Sequence, residues 1–470
     1  MVGRFSFEFA SPSSSRAGAR RPEAEPPRVL VLGDFSGRAA RALGARVATW
    51  RPRRVEIERF DDVLAPLAPA LEVAVGPDRR VVAAGFARLD DFHPDRLAQA
   101  LPLFGELEAL RARTAGTAPA AARPDDAGES ADAAVQRLLG RAPHGDLARD
   151  AVDRLAAEAA RGHIVPASDP ALARLGQAID EELAARMRAL LHHPEFQRLE
   201  AAWRGLHRLA DAAGTCGEAE VHLLDATPAE LAADLVQSAG DVRRSALHRA
   251  LAPAGSGAAG WNCMVVVFEF GVTAEDLFLL AGLGVLGASL RCPVLAAADP
   301  RLVGAASAAE LAEPRTWTPD AALSSAWAQV RRGAVAPWIL LAAPRCLVRL
   351  PYGPKSDPIE RFAFDELAED AHDALLWGNP ALALAAGRLA GDGQQALEIE
   401  DLPAVVVDAG DERRLIPCAE VLLPEAAVDA LLAAGLTPLV SDARRATIRV
   451  PRLQSIADPP TSLWSGDDSA

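Results

Sequence analysis

Residues 263–297, CMVVVFEFGVTAEDLFLLAGLGVLGASLRCPVLAA, decide the fold class of this 470-residue chain. Residues 263–270 form an apolar run with the length of a buried strand. Thr273 suits a helix N-cap, and residues 274–290 suit a helix. A second apolar run at 293–297 predicts another strand. Because strand, helix and strand in this order form a βαβ unit, the segment predicts an α/β fold with a parallel sheet.

The same segment contains the pattern GxGxxG at residues 282–287, the fingerprint of dinucleotide-binding folds. In that fingerprint the glycines lie at the turn from a strand into a helix, where backbone N–H groups face a pyrophosphate. Here they lie two turns inside the predicted helix. We therefore interpret them as positions of close helix packing, with nucleotide binding as the alternative.

Other parts of the chain show the same mixture of strand and helix patterns. Strands are predicted at 28–33, 54–60, 73–75, 81–86, 338–341 and 404–407. Residues 94–113 carry one apolar stripe and predict a single helix. Two more helices are predicted, one around 172–187 and one that begins at Pro194.

Residues 114–134, TAGTAPAAARPDDAGESADAA, lack any large apolar side chain and predict a linker between two domains. The predicted organisation is a flexible lead-in at 1–27, a first domain at 28–113, the linker at 114–134, a second domain at 135–456 and a flexible tail at 457–470. The expected fold class is α/β, with two domains of mixed or parallel sheets and flanking helices.

Charge and cysteine content exclude several classes of protein. Lys and Arg number 49 against 64 Asp and Glu, and the net charge of −15 disfavours nucleic acid and anionic membranes as partners. The five cysteines form no CxxC pair, which fits a reducing compartment. No apolar run reaches the ~20 residues of a membrane span, and the N-terminus does not resemble a secretory signal. A cytoplasmic protein without membrane insertion is expected.

No motif of a catalytic, cofactor or metal site is present. Residues 32–37, LGDFSG, follow a strand and could cradle a phosphate, but they lack the Gly-Lys-Ser/Thr ending of a P-loop. His192 and His193 are adjacent and have no acidic or cysteine ligands at metal spacing. We interpret them, with His207, as exposed residues at or near helix boundaries. The sequence therefore predicts no catalytic residue, cofactor or metal, with a nucleotide- or phosphate-binding enzyme as the less favoured alternative.

Four segments, in this order, resemble the large subunit of the type VI secretion contractile sheath. They are HHPEFQRLEAAWRGLH at 192–207, RCLVRLPYG at 345–353, FAFDE at 362–366 and LWGN at 376–379. Residues 416–421 and 431–440 are also similar to that family. Together the resemblance spans about 165–450.

Two earlier segments, RVLVLGDFSG at 28–37 and RLDDFHPD at 88–95, resemble the small sheath subunit over about 28–113. The chain thus resembles a fusion of both subunits. The resemblance implies the following family-motif or structural anchors: Gly33, Asp34, Phe35, Gly37, Asp90, Asp91, Phe92, Pro94, His193, Pro194, Phe196, Leu199, Trp203, Arg204, Gly205, Leu206, Arg349, Pro351, Tyr352, Gly353, Phe364, Glu366, Trp377, Gly378 and Asn379.

The resemblance implies a non-enzymatic structural protein. In this family small and large subunits stack as a helical sheath, and strands exchanged between neighbours hold the polymer together. The implied partners are sheath subunits or baseplate proteins of a bacterial apparatus, and self-association stays open. The family's large subunits continue beyond the point that matches Val440, and its small subunits continue where the linker begins here. A cap, an adaptor or a soluble regulator of sheath subunits is therefore the alternative.

Overall fold

The computed structural model describes residues 26–43, 50–76, 78–114, 170–217, 219–238, 240–253, 260–271, 273–367, 372–390, 397–409, 412–442 and 445–463. The helices are α1 (Phe60–Leu67), α2 (Pro94–Ala100), α3 (Pro102–Thr114), α4 (Pro170–Leu191), α5 (Pro194–Cys216), α6 (Pro228–Gln237), α7 (Ala246–Leu251), α8 (Ala274–Leu290), α9 (Ala321–Arg332), α10 (Pro380–Ala390) and α11 (Glu425–Ala433). Among these described helices, none is long and apolar enough to cross a membrane.

The strands are β1 (Arg28–Gly33), β2 (Arg53–Val55), β3 (Ala70–Val75), β4 (Arg80–Gly85), β5 (Glu220–Asp225), β6 (Cys263–Phe270), β7 (Val294–Ala298), β8 (Ile339–Ala343), β9 (Cys346–Leu347), β10 (Trp377–Gly378), β11 (Leu397–Ile399), β12 (Val405–Ala409), β13 (Glu412–Ile416), β14 (Thr437–Pro438), β15 (Val440–Ser441) and β16 (Ile448–Val450). Seven of them form the main sheet in the order β14-β8-β7-β6-β1-β5-β2. Every neighbouring pair is parallel except the antiparallel edge pair β5–β2. The α/β class is confirmed.

Strand β1 lies in the interior of this sheet, although its neighbours come from far along the chain. Arg28 is in register with Glu220 of β5, and Val29 with Cys263 of β6. Val29 and Val31 enter the core on one face, while Leu30 and Leu32 enter the core on the other. Burial on both faces explains the continuous apolar run.

Strands β1 and β2 therefore share a sheet with strands from residues 220–438, and a separation into two domains is not confirmed. Residues 115–134 of the expected linker lie outside the described residues, as do 1–25 of the lead-in and 464–470 of the tail. The earlier tail residues 457–463 are described, and the Asp458 N–H donates to the Arg331 carbonyl at 3.1 Å.

The βαβ segment folds as the sequence predicts. Strand β6 and helix α8 have the expected bounds, and β7 begins one residue later than predicted. The Thr273 hydroxyl accepts from the Asp276 N–H at 3.0 Å, and the Asp276 carboxylate accepts from the Thr273 N–H, which makes a capping box.

The GxGxxG glycines are packing positions within α8. A Cβ on Gly284 would lie 2.6 Å from Ile339 Cδ1, and one on Gly287 would lie 2.7 Å from the Cys292 carbonyl oxygen. Leu235 covers Gly282 in the same way. Because side chains and backbone of the same molecule cover these glycines, the alternative of a nucleotide site at this motif is wrong.

Two predicted elements are wrong. The strand expected at 54–60 ends at Val55, a 3-10 turn follows, and α1 begins at Phe60. Asp61 and Asp62 in the first turn favour the helix through its dipole. The helix expected at 94–113 is two helices, because Pro102 disfavours helical backbone at Leu101, which is extended with ψ 129°.

Candidate functional site

Helix α5 carries seven of the motif residues, and five of the seven are buried. His193 caps the helix, since its Nδ1 accepts from the Glu195 N–H at 3.3 Å, and Pro194 occupies the first turn as expected. Phe196, Leu199 and Leu206 are buried in a core that this helix shares with the described residues of 28–113. These residues are called the N-terminal segment. A Cβ on Gly205 would lie 2.6 Å from Leu382 Cδ1, so this glycine allows α5 to pack closely on α10.

Trp203 joins α5 to the N-terminal segment. Its side chain is fully buried, and its Nε1–H donates to the Phe35 carbonyl at 2.9 Å. The indole meets the ring of Phe35 edge to face at 5.1 Å and the ring of Phe60 at 5.8 Å. Such pairs contribute beyond the area they bury. A second aromatic group, Phe86, Phe92 and Phe196, makes the same connection nearer the start of the helix.

Arg349 lies between two buried carboxylates. Its Nε donates to Glu200 Oε1 at 2.9 Å, and its two terminal nitrogens donate to Glu366 at 2.8 and 2.9 Å. Glu200 is fully buried and Glu366 is 1% exposed. Burial alone would raise the pKa of Glu200, but Arg349 and Arg204 outweigh it and hold this pKa below its usual value. The group thus stays charged and ties α5 to residues 349–366.

Tyr352 completes this network. Its hydroxyl accepts from Arg204 at 2.8 Å, its backbone N–H donates to Glu366 at 2.7 Å, and the Arg349 guanidinium lies 4.3 Å from the ring centroid. The ring of His93, from the N-terminal segment, meets the Tyr352 ring edge to face at 5.0 Å. Burial raises the pKa of the Tyr352 hydroxyl, which keeps it neutral. These contacts order the loop that carries Tyr352.

The loop after β1 is occupied by carboxylates of the protein itself. Asp225 Oδ1 accepts from the Phe35 and Ser36 N–H groups at 2.8 and 3.0 Å, and Asp34 accepts from the Arg38 and Ala39 N–H groups at 2.9 and 2.8 Å. The N–H groups that a phosphate would need are therefore already bonded. The alternative of a phosphate cradle at 32–37 is not supported. Gly33 packs against Val267 of β6 in the same region.

Gly37 should be the least replaceable glycine of this loop. Its φ is +68°, and a Cβ would lie 2.5 Å from the Ala70 carbonyl oxygen. Gly217 has the same φ of +68° but no atom within 4 Å of the Cβ position. We expect Gly37→Ala to lower the free energy of unfolding by about 2–4 kcal/mol and Gly217→Ala by only about 1 kcal/mol, in urea denaturation. Equal losses for the two variants would show that the close approach of the Cβ at position 37 to the Ala70 carbonyl oxygen costs no free energy.

The remaining motif residues hold turns and short strands. Asp91 Oδ2 accepts from the Ala87 and Arg88 N–H groups, exposed Asp90 pairs with Arg96, and Pro94 begins α2. Pro351, Gly353 and Phe364 are buried around Tyr352. A separate group lies at β10: Trp377 donates to the His372 carbonyl at 3.0 Å, Val348 covers Gly378, and Asn379 donates to the Phe268 carbonyl at 3.2 Å.

A cleft of about 620 Å³ is lined by residues of the N-terminal segment together with Arg204 and Tyr352. Five of its thirteen lining residues are acidic, among them Asp61, Asp90 and Asp357. Within the described ranges no group of three or more His, Cys, Asp or Glu side chains could hold a metal ion. The lining offers hydrogen-bond acceptors on its carboxylates and hydrogen-bond donors on Arg59 and Arg204.

Sequence reasoning missed the partners of the motif residues. Glu200 was not singled out, although it lies among the apolar positions of α5 and therefore had to be buried with a cation. Arg38 and Asp225 were also missed. Arg38 is 2% exposed and donates to both Asp225 and Glu230, the latter at 2.7 Å. The only sequence signal for this cluster is the position of Asp225 at the end of an apolar strand.

His192, His193 and His207 are half-buried and not exposed as expected. Burial lowers the pKa of His192, His207, His222 and His248 below 6.5.

These lowered pKa values make the stability of the protein depend on pH. Below pH 6.5 the unfolded chain binds more protons than the folded chain. The stabilisation is therefore fully present above pH 6.5 and falls as the pH decreases toward the lowered pKa values. We expect the urea midpoint to be lower at pH 5.5 than at pH 7.5, and His192→Gln to reduce this difference. A higher midpoint at pH 5.5 would contradict the expectation.

Comparison with known proteins identifies the family of this arrangement. A family model described as EvpB/VC_A0108, tail sheath N-terminal domain (VipB), matches residues 174–456, which is more than half of the chain. The chain belongs to this tail sheath family. The match includes α5, the Arg349 network and most strands of the main sheet.

A second model, described as Type VI secretion system, VipA, VC_A0107 or Hcp2, matches residues 15–125. The resemblance to both sheath subunits in one chain is thereby confirmed. The Type VI secretion system sheath protein TssC1 of Pseudomonas aeruginosa is 34% identical over 218 residues. That match covers 44% of this chain and 43% of TssC1, so it spans less than half of the curated relative.

Proposed function

We propose that this chain is a non-enzymatic structural component of a type VI secretion contractile sheath, in which one polypeptide supplies both subunit types. One observation carries the proposal. Strand β1, within the VipA-like match, lies between β5 and β6 of the VipB-like match. The two family segments thus build one sheet, as a fused protomer requires.

The proposed organisation follows the sequence prediction. Residues 28–113 are the small-subunit-like part and 135–456 the large-subunit-like part, with 114–134 as linker, 1–27 as lead-in and 457–470 as tail. The family matches at 15–125 and 174–456 support two such parts, and the first match extends into the proposed lead-in and linker. The motif residues act as structural anchors, a role supported by the burial of Trp203, Tyr352 and Glu366 and by their contacts between segments.

Proposed partners are other sheath subunits, baseplate proteins and further copies of the same chain, in the bacterial cytoplasm. The family match and the name of TssC1 as a sheath protein support partners of this kind. Many copies per assembly are then expected, whereas a regulator would be present in few.

Negative-stain electron microscopy of the purified chain tests the proposal, alone and mixed with the ordinary small and large sheath subunits of the same organism. Tubes from the chain alone, or co-assembly along the length of mixed tubes, are expected. Particles that only terminate or shorten the mixed tubes would favour the alternative, a cap or regulator. Tubes of ordinary subunits that exclude the chain would contradict both the proposed sheath component and the alternative cap or regulator.

A further inference from the structure

A small cleft lies beside β2, the edge strand of the main sheet, and its volume is about 70 Å³. Leu223 and Leu224 of β5 form one part of its lining, and the residues around β2 form another. The side chains with nitrogen donors in the lining are Arg38, Trp50, Arg51 and Arg53. A space of this size holds a carboxylate group or a few water molecules, and it excludes a nucleotide.

Two nitrogen atoms of these side chains are buried without an acceptor. Trp50 is 8% exposed and Arg38 is 2% exposed, and among the described residues neither Trp50 Nε1 nor Arg38 Nε has a hydrogen-bond partner. Other indole N–H groups of the chain, for example those of Trp203, Trp261 and Trp327, donate to backbone carbonyls at 2.9–3.1 Å. Because an unmade hydrogen bond at a buried donor is costly, the two donors mark a place for an acceptor from outside.

The charge of the lining determines which acceptor fits. Arg51 and Arg53 are exposed, and neither forms an ion pair within the described part of the chain. The positive charge of Arg38 is balanced by Asp225 and Glu230. Asp225 also lines the cleft and would repel a divalent anion more strongly than a monovalent one. A single carboxylate therefore suits the site better than a phosphate.

We infer that this cleft binds the carboxylate of an acidic side chain on a polypeptide partner. A polypeptide is favoured because β2 is at the edge of the sheet, with no described strand on its outer side, so that an extended segment can lie beside it. The carboxylate would accept hydrogen bonds from Trp50 and Arg38, and Arg51 and Arg53 would hold it at the entrance. This inference does not rest on the sheath function.

The test uses the full chain labelled with 5-fluorotryptophan and followed by fluorine NMR, with Trp50→Phe to assign the Trp50 signal. The probes are acetate and two blocked peptides, Ala-Glu-Val-Glu-Ala and Ala-Gln-Val-Gln-Ala. We expect the Glu peptide to shift the Trp50 signal saturably, acetate to do so more weakly and the Gln peptide not at all. The double variant R51Q/R53Q should bind the Glu peptide about tenfold more weakly or worse, since hydrogen bonds to charged groups are the strong ones.

Trp50→Phe supplies a second readout. It removes an unpaired donor and keeps the ring, so the melting temperature should stay the same or rise, while affinity for the Glu peptide falls. Trp261→Phe is the matched control, because it loses the bond to the Leu251 carbonyl and should lower the melting temperature without changing peptide affinity. An unshifted Trp50 signal, equal affinity for acetate and the Glu peptide, or equal affinity for the Gln peptide would each overturn the inference.

Discussion

Arg349→Met should lower the free energy of unfolding by about 3–5 kcal/mol, the range seen when one partner of a buried ion pair is removed. The loss is large because Arg349 bridges Glu200 and Glu366, and both carboxylates are buried. Methionine keeps much of the volume of the side chain and none of its charge. Urea denaturation followed by circular dichroism measures the change.

The pH dependence separates this charge effect from lost packing. Without Arg349 the buried carboxylates should have raised pKa values, so the deficit of the variant should be smaller at pH 5 than at pH 7.5. Adding Glu200→Gln and Glu366→Gln should restore part of the stability at pH 7.5. Arg198→Met is the matched control, since Arg198 is 67% exposed in its pair with Glu195 and should cost less than about 1 kcal/mol. A loss of the same size in the control would contradict the expectation.

Trp203→Ala should also cost about 3–5 kcal/mol, because it empties a core aromatic site. The variant also leaves the Phe35 carbonyl without its indole donor and removes the edge-to-face contacts with Phe35 and Phe60. Trp203→Phe keeps most of the apolar volume and should cost about 1–3 kcal/mol. The measurement is the free energy of unfolding in urea.

Trp317→Ala is the matched control for Trp203. Its indole also donates to a carbonyl, that of Glu310 at 2.9 Å, but the side chain is only half-buried and the bond spans seven residues. A smaller loss is expected. A double-mutant cycle of Trp203→Phe with Phe35→Leu should show a coupling of about 0.5–1.5 kcal/mol. An unchanged melting temperature for Trp203→Ala would show that the indole contributes nothing to the core.

The sequence predicts well those helices and strands whose pattern depends only on residues of the same segment. Residues 263–290 are a case, because the length of the apolar run, the Thr273 cap and the Asp276 carboxylate all act within one segment. The helix expected at 94–113 was wrong for an equally local reason, the proline at 102. Local signals were therefore sufficient to predict the two helices, but the effect of Pro102 on Leu101 was not taken into account.

The placement of β1 and the Arg349 network could not be predicted in the same way. An apolar run such as VLVL shows that a strand is buried on both faces, but not which strands lie beside it. Similarly, Arg349 and Glu366 were singled out by resemblance, whereas their shared contact with Glu200 depends on how α5 lies against residues 349–366. Pairings between distant segments are set by tertiary packing, and periodicity carries no information about them.

The position of β1 has a consequence for the synthesis of the protein. Arg28 leaves the ribosome long before Glu220 and Cys263, the residues beside which β1 must lie. At about 5–20 residues per second, the delay before β5 appears is about 10–40 s. During this time an apolar strand has no partner from its own chain, and its backbone groups can pair with other nascent chains. The order of translation therefore delays closure of the main sheet until β5 and β6 have been synthesised, and pairings over such long sequence separations favour slow folding.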